Sequence, residues 1–177
     1  VGGNSNNKAG DYGAMFGNLN VEATGVYGTL TSGSSNQVNG GWDSGIIGYK
    51  NIVNAGGLYT KIVLGYQNTI NTNTHAVTAI GQENIVGGAT RLSLLGTFAI
   101  GGNNNVQGRA SGALGNWNTI NADVAYAIGA GITNNTGNSV VVQGAGRLLG
   151  FYGATPVAKP TVAAPATNTA TAVTLVN

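Results

Sequence analysis

Carboxylates are the side chains from which an enzyme acting on surface polysaccharides would be built. Cleavage of a glycosidic bond requires two of them at a fixed separation across that bond. The chain carries only five acidic residues, spread singly along it: Asp11, Glu22, Asp43, Glu83 and Asp123. We expect them to be solvated turn residues, and only the fold could bring two together. The sequence therefore predicts a protein that is not an enzyme.

Residues for metal, nucleophile and nucleotide sites are equally scarce. His75 is the only histidine and cysteine is absent, which excludes multi-histidine and thiolate metal sites and leaves no obvious base for a serine nucleophile. The composition of residues 71–75 indicates a turn with a surface histidine. The glycines of residues 144–150 have the spacing G-x-G-x-x-x-G, one residue too long for the dinucleotide fingerprint. We expect neither a metal nor a cofactor.

Aromatic side chains are the better candidates for contact with a ligand. Tyr49, Tyr66 and Trp117 each stand one or two positions after a glycine that recurs along the chain. Aromatic rings at equivalent positions of a repeat either stack on one another for stability or present faces on which sugar rings stack. Both interpretations stay open at this point, and the three residues form the candidate ligand-binding site.

The composition favours a stacked architecture over a charged globular surface. Glycine accounts for 31 of the 177 residues, and charged residues make up only 7%, against about 25% in a typical soluble domain. Asn, Ser, Thr and Gln replace them, and such neutral groups hydrogen-bond to identical neighbours without repulsion. Hydrophobic residues still reach 42%, which argues against intrinsic disorder.

The charge pattern and the hydropathy pattern exclude two kinds of partner. Seven basic and five acidic residues leave a formal net charge of +2, with no run of either sign, whereas nucleic-acid binding needs a clustered basic footprint. No apolar stretch approaches the length of about 18 residues that a membrane-spanning helix requires. We therefore expect no nucleic acid and no membrane insertion.

A short repeat decides the expected fold. The pattern Gly-x-x-Asn-x-(Val/Ile) occurs six times, as GSSNQV at 33–38, GYKNIV at 48–53, GYQNTI at 65–70, GQENIV at 81–86, GGNNNV at 101–106 and GNWNTI at 115–120. The intervals between successive glycines suffice for two strands and two turns and for no helix. The glycine supplies a positive φ or a close backbone approach, and the asparagine suits either a left-handed turn position or an inward polar ladder. Stacked coils of this kind form a parallel β-solenoid.

Such thin coils leave apolar surface that one chain cannot cover. Five of the six glycines follow an apolar pair, and a decayed seventh copy follows at residues 127–129. Winding three chains around one axis would bury the exposed flank. The second members of the pairs are the expected trimer core: Ile47, Leu64, Ile80, Ile100, Leu114 and Ile128.

These repeats resemble the head repeats of trimeric autotransporter adhesins. The resemblance is carried by AIGQENIVG at 79–87, VLGYQNTI at 63–70 and ALGNWNTI at 113–120, and extends over about residues 31–130. It implies an all-β, left-handed parallel β-roll in an intertwined homotrimer that binds host surface molecules. Coil lengths here are less even than in that family, and residues 96–102 are expected to form an insertion that protrudes as a loop.

The end of the chain carries a second resemblance. The segment GFYGATPVAKPT at 150–161 is similar to sequences that follow the repeats in bacteriophage fibre and structural proteins, and all three prolines lie beyond residue 150. We expect atypical capping coils in residues 1–30, the β-solenoid in 31–147, and an extended tail rich in Pro, Ala and Thr in 148–177.

Together these observations predict a structural and adhesive fibre protein of a bacteriophage virion, located on the virion surface. Its expected partners are two further copies of itself, other virion proteins and a host-surface glycan. The alternative is the head of a bacterial trimeric autotransporter adhesin, located at the cell surface.

Overall fold

The computed structural model describes residues 1–54, 60–71, 74–87 and 94–142. All regular structure among them is β. The strands are β1 (Gly2–Asn4), β2 (Asn7–Lys8), β3 (Ala14–Asn18), β4 (Val21–Glu22), β5 (Leu30–Ser34), β6 (Gln37–Val38), β7 (Ser44–Tyr49), β8 (Ile52–Val53), β9 (Lys61–Tyr66), β10 (Thr69–Ile70), β11 (Thr74–Gln82), β12 (Ile85–Val86), β13 (Leu94–Gly102), β14 (Asn105–Val106), β15 (Gly112–Asn116), β16 (Thr119–Ile120), β17 (Ala125–Ala130), β18 (Thr133–Asn134) and β19 (Ser139–Val142).

Long and short strands alternate along the chain and form two parallel sheets. The odd-numbered strands make a ten-stranded sheet, the long-strand sheet, and the even-numbered strands make a nine-stranded sheet, the short-strand sheet. Each strand pairs in parallel with the next strand of its own kind. The predicted all-β parallel solenoid is therefore confirmed. Ten strands about 4.8 Å apart span roughly 43 Å.

The core lies between the two sheets, and each sheet contributes one layer of inward side chains to it. In each apolar pair the first member points inward, as with Ile46, Val63 and Ala79, which are fully buried. The short strands contribute Val53, Ile70 and equivalent residues from the opposite side. The second members of the pairs, which the sequence assigns to a surface shared between chains, therefore point outward.

The repeat glycines stack into one column that only glycine can occupy. Nine of them, from Gly3 to Gly129, follow one another in register with φ between +98° and +137°. A Cβ placed on Gly65 would lie 2.0 Å from the carbonyl oxygen of Gly81 in the next coil. Both expected roles of the glycine, positive φ and close backbone approach, are met at the same residue.

The repeat asparagines form an inward hydrogen-bonded ladder. The left-handed turn conformation falls on the residue before each asparagine, such as Gln67 (φ +53°) or Glu83 (φ +53°). The asparagine itself is buried: the backbone N and the Nδ2 of Asn84 both donate to Asn68 Oδ1, at 3.1 and 3.0 Å. Nδ2 of Asn84 also donates to the carbonyl oxygen of Gly101, at 2.9 Å. The same bonds recur through Asn6, Asn20, Asn36, Asn51, Asn68, Asn84, Asn104 and Asn118.

The first two members of this ladder lie in residues 1–30, before the first copy of the repeat found in the sequence. Their coils carry Lys8 and Glu22 where later coils carry the inward Val or Ile. Glu22 is fully buried, with Lys8 Nζ 3.7 Å from its Oε2, and it accepts a hydrogen bond from the hydroxyl of Thr29. An ion pair, with the other carboxylate oxygen of Glu22 hydrogen-bonded to Thr29, thus replaces two apolar residues at this end of the core.

A second basic residue lies inside the solenoid. Lys61 begins β9, pairs in register between Ser44 and Val77, and is fully buried. Burial disfavours the charged ammonium and lowers the pKa of Lys61 below its ordinary value of 10.5.

Several further expectations are settled by the described residues. Residues 96–102 are not a protruding loop, because they belong to β13, which pairs with β11 and β15; the alternation of Thr97, Phe98, Ala99 and Ile100 continues a strand. His75 lies within strand β11 rather than in a turn.

No helix among the described residues is long and apolar enough to cross a membrane. The expected tail, residues 148–177, lies outside the described residues.

Candidate functional site

The outer face of the long-strand sheet carries a continuous column of apolar side chains. Its six central members stand directly above one another in register: Ile47, Leu64, Ile80, Ile100, Leu114 and Ile128. They lie outside the coil's own core, and Ile47, Leu114 and Ile128 are 43–47% exposed. We call these six residues the apolar column. They are the residues that the sequence assigned to a trimer core, and within one chain nothing among the described residues covers them fully.

A second outward column runs beside the first on the same sheet. It includes Leu30, Ile62 and Val140, which are 41–50% exposed, and an aromatic contact between Phe98 and Tyr126, whose ring centroids are 6.2 Å apart. The two rings reach toward each other across Gly112, where a Cβ would lie 2.2 Å from the Phe98 ring. These two adjoining columns on the outer face of the long-strand sheet are therefore mostly apolar.

The outer face of the short-strand sheet has a different character. Nine outward positions stack along it, of which three are apolar and six are neutral polar: Asn7, Val21, Gln37, Ile52, Thr69, Ile85, Asn105, Thr119 and Thr133. A mostly polar face suits water, and a continuous apolar face of this length is typical of an interface. The solenoid thus has one face suited to solvent and one suited to burial.

The structure brings together two of the three predicted ligand-binding aromatics. Tyr49 and Tyr66 end consecutive long strands and stack with ring centroids 5.6 Å apart and planes 20° from parallel. Both are 40% exposed, and Lys50 Nζ lies 5.1 Å from the centre of the Tyr49 ring. A packing role and an exposed face are therefore both present in this pair.

Trp117 stands apart from that pair. It occupies a left-handed turn position (φ +55°) and is 66% exposed. Trp117 follows strand β15, and Tyr66 ends strand β9. These two strands are three positions apart in the long-strand sheet, so about 14 Å along the solenoid separates the two residues. Trp117 is a single exposed ring rather than part of a shared platform.

A second group of aromatic residues lies at the opposite corner of the coils, where the long strands begin. Tyr27 and Trp42 meet edge to face with centroids 5.5 Å apart, and Asp11, Tyr27 and Trp42 pair in register in consecutive coils. Tyr12 and Asp43 follow in the sequence and are also exposed. We call Asp11, Tyr12, Tyr27, Trp42 and Asp43 the aromatic corner.

The spacing of acidic and aromatic residues in the sequence also indicates the aromatic corner, although the glycine repeat alone does not reveal it. The spacing from Asp11 to Tyr27, and again from Tyr27 to Trp42, matches the coil length measured between the repeat glycines. A search for aromatic and acidic residues at that interval would have found the corner.

The acidic residues are dispersed through the described part of the chain. The expectation of five solvated turn residues is wrong for Glu22, which lies in strand β4 and is buried beside Lys8. Asp123 forms an ion pair with Arg109 at 3.3 Å. Asp11 and Asp43 share the aromatic corner but stand two coils apart, about 10 Å along the solenoid. In residues that the structure describes, no three His, Asp or Glu side chains are grouped so as to hold a metal ion.

Comparison with known proteins adds no assignment. No protein-family model matches the chain, and neither a curated protein nor a solved structure does. The structural features that bear on function are the apolar face, the asparagine ladder and the two exposed aromatic groups.

Proposed function

We propose that this chain is a structural and adhesive segment of a bacteriophage virion fibre, on the head or the tail. In this proposal it is a left-handed β-roll, three copies intertwine into a homotrimer, and residues 148–177 continue as an extended tail. Other virion proteins anchor it, and a host-surface glycan is its ligand. It catalyses no reaction and uses neither cofactor nor nucleic acid.

The observation that carries this proposal is the apolar column. Six aliphatic side chains stand in register on the outer face of consecutive long strands, from β7 to β17. They represent surface that a lone chain leaves in water. A partner covers such a face along its whole length only if its own coils have the same spacing along the solenoid. A second copy of this chain has that spacing.

Simple geometry supports three copies. A six-residue strand is about 20 Å long. Three sheets of that width, set as the sides of a triangle, lie about 6 Å from the common axis, which is close to half of the ~10 Å that separates packed sheets. Side chains of the size of Ile and Leu fill that space.

The rest of the structure suits a rigid spacer better than an enzyme. The asparagine ladder and the glycine column fix each coil onto the next through buried hydrogen bonds and close backbone contact. Coils only two side chains thick leave little interior volume for a substrate. Ligand contact therefore belongs on the outside, at Tyr49, Tyr66 and Trp117.

The test of the adhesive role is binding of bacterial surface polysaccharide to the purified protein. Trp117→Ala should weaken binding by roughly tenfold, the loss of one good ring contact, while the oligomeric mass stays unchanged. Thr119→Ala, an outward change two residues away on the short-strand sheet, is the matched control and should bind like the parent. Equal binding by both variants would remove Trp117 from the site.

The same incubation tests the absence of catalysis. Reducing ends should not increase over hours. Release that disappears in Asp11→Asn or Asp43→Asn would contradict the proposal, because those two carboxylates share one corner and flank exposed rings.

The alternative, a bacterial adhesin head, is favoured by the same Gly-x-x-Asn repeats, which now cover the described solenoid from Gly3 onward. The ligand separates the two functions. A phage fibre binds polysaccharide of the bacterial surface, whereas an adhesin head binds surface molecules of the host that the bacterium colonises and ignores the bacterial polysaccharide.

A further inference from the structure

The two ends of the long strands carry side chains that complement each other but cannot meet within one chain. We call the residues just before each long strand the start flank and those at and just after its end the end flank. At β7 the start flank is Trp42 and Asp43, and the end flank is Tyr49 and Lys50. Asp43 and Lys50 are seven residues apart on an extended strand, so about 23 Å separates them.

Cyclic symmetry brings unlike flanks together between protomers. In the proposed trimer, on which this inference rests, the long-strand sheets surround a threefold axis. Going around that axis, the end flank of one sheet adjoins the start flank of the next, which is a heterologous contact. A threefold rotation does not shift a protomer along the axis, so equivalent coils of the three protomers lie at the same height. If the coils are perpendicular to the axis, the adjoining flanks therefore belong to the same coil.

At β7 the two adjoining flanks match in shape and charge. Each presents an exposed aromatic ring, Trp42 (48% exposed) on one side and Tyr49 (40% exposed) on the other. Each also presents an exposed charge of opposite sign, Asp43 and Lys50. Both charged residues hold left-handed turn positions, with φ +49° and +54°, so they are equivalent corner positions of the coil.

We propose that Trp42 and Asp43 of one protomer pack against Tyr49 and Lys50 of the next, forming a ring of three identical contacts that fixes the protomers in register. Trp42 and Asp43 of the aromatic corner are then half of an interface between protomers, and Tyr49 and Lys50 are the other half. The Tyr66 ring and one face of the Trp117 indole stay available to the glycan of the proposed function. The Lys50 ammonium, which lies over the Tyr49 ring within its own chain, is placed to reach the neighbour's carboxylate.

A second coil shows an independent match. At β15 the start flank carries Arg109, whose side chain is 57% exposed, and the end flank carries Trp117, 66% exposed. A guanidinium over an indole face is a favourable cation–π pair, and Arg109 keeps its ion pair with Asp123 along the solenoid edge. At none of the described coils do the adjoining flanks place two like charges opposite each other.

Cysteine cross-linking tests the contact, since the natural chain has no cysteine. The double variant Asp43→Cys, Lys50→Cys, treated with a mild oxidant or a short bifunctional maleimide, should run mainly as a covalent trimer on a denaturing gel. A link within one chain is excluded, because a disulfide needs Cα atoms within about 7 Å. Each single variant should yield no covalent trimer.

The matched control moves one cysteine by two coils. Asp43→Cys with Glu83→Cys keeps one start flank and one end flank but offsets them by about 10 Å along the axis, and should cross-link at least fivefold less. If this pair links better than Asp43 with Lys50, or if neither pair links in a protein of trimeric native mass, the same-coil contact is wrong while the proposed trimer stands. A monomeric native mass would overturn both.

Charge exchange provides a second readout that needs no cysteine. Asp43→Lys and Lys50→Asp should each raise the concentration at which trimers dissociate, by roughly tenfold, and the exchanged double variant should return to within about twofold of the parent. Additive losses in the double variant would contradict the contact. They would instead favour the aromatic corner as an exposed sugar platform, and glycan binding that is lost in Trp42→Ala would then establish that role.

Discussion

Asn84→Ala should lower the free energy of unfolding by roughly 3–5 kcal/mol, because it leaves several buried polar groups without partners at about 1–3 kcal/mol each. The change removes the acceptor of both the backbone N and Nδ2 of Asn104, at 3.1 and 2.9 Å. It also removes the donor to the carbonyl oxygen of Gly101. The ladder is buried from Asn20 to Asn118, so solvent does not replace these bonds.

The matched control is Asn105→Ala, the same chemical change in a neighbouring coil at an outward position. It should cost less than about 1 kcal/mol, as surface substitutions usually do. Thermal unfolding at fixed protomer concentration compares the two, because the stability of an oligomer depends on concentration. Equal melting temperatures for both variants would show that the ladder contributes shape and not hydrogen bonding.

Asn84→Asp separates hydrogen bonding from shape. The carboxylate has nearly the size of the amide but cannot donate, and it would face the oxygens of Asn68 and Gly101. The variant should be strongly destabilised at neutral pH and should recover part of its stability as the pH falls, because the protonated acid donates one hydrogen bond. A deficit that is independent of pH would contradict this explanation.

Ile80→Asp should abolish the trimer, and Ile85→Asp should not. The two isoleucines belong to the same coil and both point outward, Ile80 from the long-strand sheet and Ile85 from the short-strand sheet. In the proposed trimer the first places a charge in an apolar interface in each of three chains, at several kcal/mol per chain. The second places a charge in water.

Native mass measurement at micromolar protomer concentration distinguishes the two variants, and circular dichroism reports whether the coils persist. The expected outcome is a monomer for Ile80→Asp with its β signal retained, since the side chain lies outside the coil's own core, and a trimer for Ile85→Asp. A trimer from Ile80→Asp, or its loss in Ile85→Asp, would mean that the apolar column does not face the axis.

The stacked fold could be predicted from the repeat because glycine and asparagine each have a strict structural requirement here. Gly65 has no room for a Cβ against Gly81, and Asn84 supplies both a donor and an acceptor to its neighbours. These needs recur in every coil and so are visible as a pattern. The two coils at the start of the chain do not match the repeat pattern because Lys8 and Glu22 replace the expected Val or Ile. Only the folded chain reveals that these two charges form an ion pair.

The candidate site was less accessible to sequence reasoning. The aromatic rings of Tyr49 and Tyr66 could be placed on one edge, but the aromatic corner depends on which turn residues adjoin between coils, which uneven coil lengths conceal. The expected loop at residues 96–102 was wrong for a related reason: the long interval between Gly81 and Gly101 does not say where its additional residues lie.

The native mass of the parent chain shows whether three copies cover the apolar column. We expect a single species at micromolar protomer concentration, with three times the 17.6 kDa mass of one chain. A monodisperse species with the mass of one chain at that concentration would contradict the trimer, because the apolar column would then remain in water and the proposed fibre would lose its basis.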